Sequence, residues 1–74
     1  MRFELAADEA LSLAIYDLSG REVRSLANGS FVAGTHDIPW DGLDSSGRPA
    51  AAGVYLARLK GPTTHASQHV ILMN

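Results

Sequence analysis

Seventy-four residues with a formal charge of −2 make one small domain, residues 1–74, which buries only about 60% of the surface its unfolded chain exposes, so every strand matters to its stability. Cysteine is absent, which excludes a disulfide staple and a thiolate metal site, and the six scattered basic residues argue against nucleic acid as a partner. No apolar run approaches the ~20 residues that span a bilayer, so no membrane insertion is expected.

Arg2 follows Met1 with no apolar leader, so the chain reads as a module of a longer polypeptide that carries any export signal elsewhere. Phe3 and Leu5 alternate with Arg2 and Glu4, predicting a short first strand at a sheet edge. From Ala10 to Asp17, Leu11, Leu13 and Ile15 share one face and Ser12, Ala14 and Tyr16 the other, which predicts a second strand. Asp17-Leu18-Ser19-Gly20 supplies a capping Asp and a Gly able to take positive φ, so a hairpin turn follows. The third strand, Arg21 to Ala27, then pairs antiparallel with the second. Its apolar positions Val23 and Leu26 break strict alternation, pointing to a bulge or an edge.

Asn28-Gly29-Ser30 reads as another turn, and Phe31-Val32-Ala33-Gly34 as an apolar connection covering one open end of the core. Thr35 to Trp40 alternates again, with His36, Ile38 and Trp40 on one face; Pro39 lacks a donor and places this strand at an edge or paired on one side only.

The next stretch, WDGLDSSGRPAAAGVY from Trp40 to Tyr55, organises the rest. Trp40 brings a large ring to the core, and Asp41, Gly42, Asp44, Ser45, Ser46 and Gly47 crowd turn formers together, so the chain reverses there. Gly53 precedes the strand Val54 to Lys60, whose Tyr55, Ala57 and Leu59 share one face. Trp40, Gly42, Gly47, Gly53 and Tyr55 are the structural residues of this segment. Gly61-Pro62-Thr63-Thr64 makes the last turn, and Ala66 to Met73 the last strand, with Val70 and Leu72 opposed to Ile71 and Met73. No segment reads as a helix. Short strands separated by turn chemistry predict an all-β, antiparallel sandwich.

Three phrases together, IYDLSGREVRSL at 15–26, FVAGTHDIPWDGLDSSGRPAAAGVYLARL at 31–59 and the closing HVILM, resemble the immunoglobulin-like module of the flagellar hook-capping protein. The chain is also similar to C-terminal domains of exported bacterial proteins, including the sorting domains of type IX secretion, although it lacks their Tyr-Pro-Asn-Pro-like opening and basic tail. The resemblance implies an immunoglobulin-like or fibronectin-III-like sandwich of about seven short strands, without catalysis.

Asp41 and Asp44 with Ser45 and Ser46 could offer oxygens to Ca²⁺, but the spacing lacks the EF-hand order and its bidentate Glu, and Asx capping of backbone N–H groups explains both carboxylates. His36, His65 and His69 would form a zinc site only if they converged, and with His36 on one strand, His65 in or near a turn and His69 on the last strand they are not expected to; His36 reads as an inward or boundary residue and the other two as exposed. The serines sit in strands or turns without a nucleophile-elbow phrase. Lys60, the sole lysine, shares parity with Val54, Leu56 and Arg58 rather than with Tyr55, and so points to solvent instead of into a cross-linking interior. Tyr16, Phe31 and Tyr55 could stack on a ligand, though Tyr55 fits the core better. Open strand edges, the first and fourth strands being short or marked by Pro39, or one exposed sheet face offer the more plausible mode of recognition.

These observations give three expectations. The first is a non-catalytic accessory module, without cofactor, at the extracellular face or cell surface as part of a longer exported protein, contacting secretion or anchoring machinery. The second is a self-assembly domain of a hook-cap-like scaffold. A calcium- or carbohydrate-binding module using the 41–47 loop is a third, of another class. The isolated module is expected to be monomeric.

Overall fold

A computed structural model describes residues 1–73 and contains six strands among them: β1 (Arg2–Leu5), β2 (Glu9–Tyr16), β3 (Glu22–Phe31), β4 (Gly34–Asp37), β5 (Gly53–Lys60) and β6 (His65–Leu72). All pairings are antiparallel. β1 and β4 form a two-stranded sheet, and a four-stranded sheet runs in the order β3-β2-β5-β6. The two sheets make an all-β sandwich with extents of 36 × 20 × 18 Å. Six strands stand where the resemblance implies about seven. The stretch between β4 and β5 contributes only the isolated bridge Leu43–Pro49.

On β2 small Ala14 is buried, and on the opposite face Leu11, Leu13 and Ile15 are all but inaccessible, as the period-two pattern requires. Tyr55, Ala57 and Leu59 of β5 lie on the same side, and Leu13, Ile15 and Leu59 are the largest fully buried side chains. Each such side chain contributes about 1.5–3 kcal/mol by leaving water. Phe3 and Leu5 of β1 close one half of this layer, with Leu26, Ala27, Phe31 and Ile38 packed around them. The other half, around Ile15, Tyr55 and Ala57, is roofed by Trp40 and Ala50 from the long loop and flanked by Val23, Val70 and Leu72. The loop thus replaces a strand over half of the core.

β3 is an edge strand, and it carries two bulges. Leu13 pairs with Ala27 and Ala14 with Ser25, so Leu26 is the extra residue; Ile15 pairs with Arg24 and Tyr16 with Glu22, so Val23 is the other. The extra residues explain the broken alternation, because a bulge lets Leu26 and Val23, of opposite parity, both turn to the core.

Two local expectations are corrected. Asn28-Gly29-Ser30 is not a turn: it lies inside β3, paired with Ser12, Leu11 and Ala10 of β2. Ladder pairing with a full-length neighbour overrides local turn preference there. The strand read as Thr35 to Trp40 ends at Asp37, one residue short of Ile38, whose N–H still donates to the Met1 carbonyl at 2.8 Å. Pro39 has no N–H to continue the ladder, so Trp40 lies outside the strand and half-buried. The single-sided pairing expected of this strand is observed, since among the described residues β4 pairs with β1 alone.

Candidate functional site

Two chain reversals share one construction. Asp17-Leu18-Ser19-Gly20-Arg21 and Asp44-Ser45-Ser46-Gly47-Arg48 spell D-x-S-G-R twice. In the first, Asp17 Oδ1 accepts from the Ser19 N–H (3.0 Å), the Ser19 hydroxyl (2.6 Å) and the Arg21 N–H (3.1 Å). In the second, Asp44 Oδ1 accepts from the Ser46 N–H (2.9 Å), the Ser46 hydroxyl (2.6 Å) and the Arg48 N–H (3.1 Å). The backbone repeats as well: the Asp17 and Asp44 N–H groups donate to the Arg21 and Arg48 carbonyls at 2.9 and 2.8 Å. Gly20 and Gly47 close the turns at φ 89° and 85°, a conformation costly for any residue with a Cβ. The Ser hydroxyl first, and the Arg N–H next, hold each Asp carboxyl below its usual range. This repeat was visible in the sequence as a repeated string, but only the geometry shows that both copies make the same bonds.

The second turn sits in the roofing loop, which is tied down at several points. The Trp40 indole N–H donates to the Leu43 carbonyl at 2.9 Å, and its ring meets Tyr55. The Ala50 N–H donates to the Gly42 carbonyl at 2.8 Å, and the Tyr55 hydroxyl donates to the Ala51 carbonyl. Arg24 reaches across from β3, its Nη1 3.2 Å from both Asp41 Oδ1 and the Leu43 carbonyl. Asp41 Oδ1 also accepts from the Leu43 N–H at 3.0 Å. The Ser45 N–H donates to the Val23 carbonyl at 2.9 Å, so the loop covers the free side of β3 at its bulge. The twin turns then flank an open cleft floored by Val23, Ala51 and Tyr55.

The structural residues read from the sequence fall within this arrangement. Tyr55 is buried, with 8% exposure; Gly42 is buried at φ 80° against Leu72; Gly47 closes the second turn; Gly53 opens β5. Asp41 and Asp44 cap backbone groups, and Asp41 also pairs with Arg24. No group of three or more His, Asp or Glu among the described residues is arranged to hold a metal. His36 lies half-buried on β4, stacked on Phe3 at 5.3 Å and edge-on to Phe31 at 5.2 Å, with Nε2 donating to the Val32 carbonyl at 2.7 Å, whereas His65 and His69 lie exposed on β6. Lys60 is exposed on the outer face, opposite in parity to buried Leu59.

One contact went unforeseen. Glu9 Oε1 accepts from the Thr63 N–H and hydroxyl, both at 3.0 Å, and Oε2 from the Thr64 hydroxyl at 2.8 Å, tying the start of β2 to the β5–β6 turn. The Thr63 N–H bond above all, then the Thr64 hydroxyl, lowers the Glu9 pKa. No sequence signal links positions so far apart.

The loop directs the Asp41 and Asp44 carboxylates onto its own backbone, while the cleft between the twin turns, the strand edges and the outer sheet face stay open. The family model described as the FlgD Ig-like domain matches residues 1–65, spanning β1 to β5 and reaching the first residue of β6. No curated protein and no solved structure matches the chain. The match bears on the hook-capping half of the resemblance and not on its type IX half. With both the sandwich and nearly nine-tenths of its length accounted for, this chain belongs to the FlgD Ig-like domain family.

Proposed function

We propose that this chain is a non-catalytic assembly module of a hook-cap-like scaffold, working through protein–protein contact at its strand edges. The observation that carries the reading is the FlgD Ig-like match over residues 1–65. The internal bonding of the loop supports it, because the Ser46 hydroxyl is committed to Asp44 and the Asp41 carboxylate to Arg24. Recognition by secretion or anchoring machinery draws on the type IX likeness and has the weaker support.

Sedimentation velocity tests this reading, with the chain alone and with overlapping segments of the polypeptide that flanks it in its parent protein. A reversible complex with such a segment, or with a second copy, is the expected result. An inert monomer at millimolar concentration, alone and in every mixture, would overturn it.

A further inference from the structure

The strand edges of this sandwich are not equally protected. β1 and β4 are four residues each and carry Arg2, Glu4 and Asp37. The outer side of β3 is broken by two bulges and capped at Val23 by the Ser45 N–H. β6 differs on every count. It runs eight residues in unbroken register with β5, its other side pairs with no described strand, and HASQHVIL contains no Pro and no Asp, Glu, Lys or Arg. Natural sheets blunt free edges with charge, proline, bulges or brevity, because an unblunted edge templates another strand. β6 has none of these devices, so its row of unpaired N–H and C=O groups is suited to being covered.

The outer face beside this edge specifies the occupant. Register places Lys60 beside His65, Arg58 beside Ser67, Leu56 beside His69 and Val54 beside Ile71. One end is therefore basic, with Arg58, Lys60, His65 and His69 all exposed, and β5 and β6 hold no carboxylate. Arg58 lies over the Tyr16 ring, 5.0 Å from its centroid, and Glu9, held ionised at the adjoining turn by Thr63 and Thr64, sits at the start of β2 rather than on the β5–β6 pair. The other end is apolar, with Ile71 70% and Met73 82% exposed. A second copy does not complement this face, because its β6 would bring histidines and no carboxylate.

We propose that β6 is the acceptor edge for an extended polypeptide segment that is acidic at one end and apolar at the other, added antiparallel as a fifth strand. Its carboxylates lie beside His65 and His69 with Lys60 and Arg58 behind them, and its apolar end lies beside Ile71 and Met73. Main-chain bonds supply the affinity and this charge pattern the specificity. The proposal deepens the assembly reading and rests on it. The family match covers residues 1–65, so seven of the eight β6 residues lie beyond it.

The probe is an eight-residue peptide, the length of β6, alternating threonine with valine in its N-terminal half and with glutamate in its C-terminal half. Its control replaces glutamate by lysine. Titration is followed by amide hydrogen exchange of the intact chain. The glutamate peptide is expected to bind at least about tenfold more tightly than the lysine peptide and to protect alternate β6 amides from exchange. Ile71→Lys, at an exposed position, is expected to weaken binding by about tenfold without moving the melting midpoint, while Val32→Lys, exposed at the far side of the sandwich, leaves binding unchanged. Equal binding of both peptides, or protection in β1 or β4 instead of β6, overturns the proposal and leaves the assembly reading standing. Self-association through β6 does the same by naming a different occupant. If neither peptide, flanking segment nor second copy pairs with any edge, both readings fall.

Discussion

The rings of Trp40 and Tyr55 meet edge to face, centroids 5.0 Å apart and planes inclined by 69°, and this pair joins the roofing loop to the four-stranded sheet. Trp40→Ala is expected to cost about 2–4 kcal/mol, at and below the lower end of the range for large aromatic truncations because the ring is half-buried. A domain of this size holds roughly 4–11 kcal/mol in total, so chemical denaturation should find this variant close to unfolding. Tyr55→Phe keeps the ring and removes only the bond to the Ala51 carbonyl, for an expected loss of about 0.5–1.5 kcal/mol. Equal losses in the two variants would contradict the assignment of the joint to the ring pair.

Acid should loosen the turns before it loosens the core. Asp17, Asp44 and Glu9 all have native pKa values below their ordinary ones, so the native state binds protons less readily than the unfolded chain. Their contribution is complete above the ordinary carboxylate values of about 4 and is lost as pH falls through the lower native values. Melting midpoints should therefore be flat down to about pH 5 and decline below about pH 4. In Asp17→Asn/Asp44→Asn that acid decline should be shallower, with the starting midpoint lower. A double variant as acid-sensitive as the parent would remove the twin carboxylates from the explanation.

Millimolar Ca²⁺ is expected to leave the midpoint where it is. Asp44 Oδ1 already accepts three donors, and Asp41 Oδ1 is shared between Leu43 and Arg24. What is left on each is the single Oδ2, far short of the six to eight oxygens that Ca²⁺ takes. A rise of several degrees, as ligand binding to the folded state alone requires, would make both residues ligands.

Two glycines should respond differently to a methyl group. At Gly61 an added Cβ would sit 3.0 Å from the Ala10 carbonyl oxygen and 2.8 Å from Glu9 Oε1, and would run into Leu11 as well. Backbone cannot step aside cheaply, so Gly61→Ala is expected to cost about 2–3 kcal/mol. At Gly42 the nearest atom is the Leu72 side-chain tip at 3.2 Å, and the main cost of Gly42→Ala is the positive φ, about 1–2 kcal/mol. Thermal unfolding of the two variants measures the order.

Much of this fold was legible because its signals are local. Leu11, Leu13 and Ile15 alternate in sequence and are buried in fact, and the irregular spacing of Val23 and Leu26 announced the bulges. The failures came where a distant partner decides. Asn28-Gly29-Ser30 has the composition of a turn, yet Ser12, Leu11 and Ala10 hold it extended. Gly61 looked like an ordinary turn glycine, and only the approach of Ala10 and Leu11 shows why a side chain is unwelcome. The neutrality of β6 could be read directly, but its meaning depends on knowing that the strand lies at a sheet margin.

The repeated D-x-S-G-R turns serve different surroundings: one links two neighbouring strands, and the other reverses a loop that has almost no ladder of its own. Since the carboxylate bonds that shape each copy run between residues no more than four apart, the cassette carries its geometry with it. It is a transplantable part: five residues that could be grafted between unrelated strands to impose a reversal, with the serine and the glycine travelling alongside the aspartate.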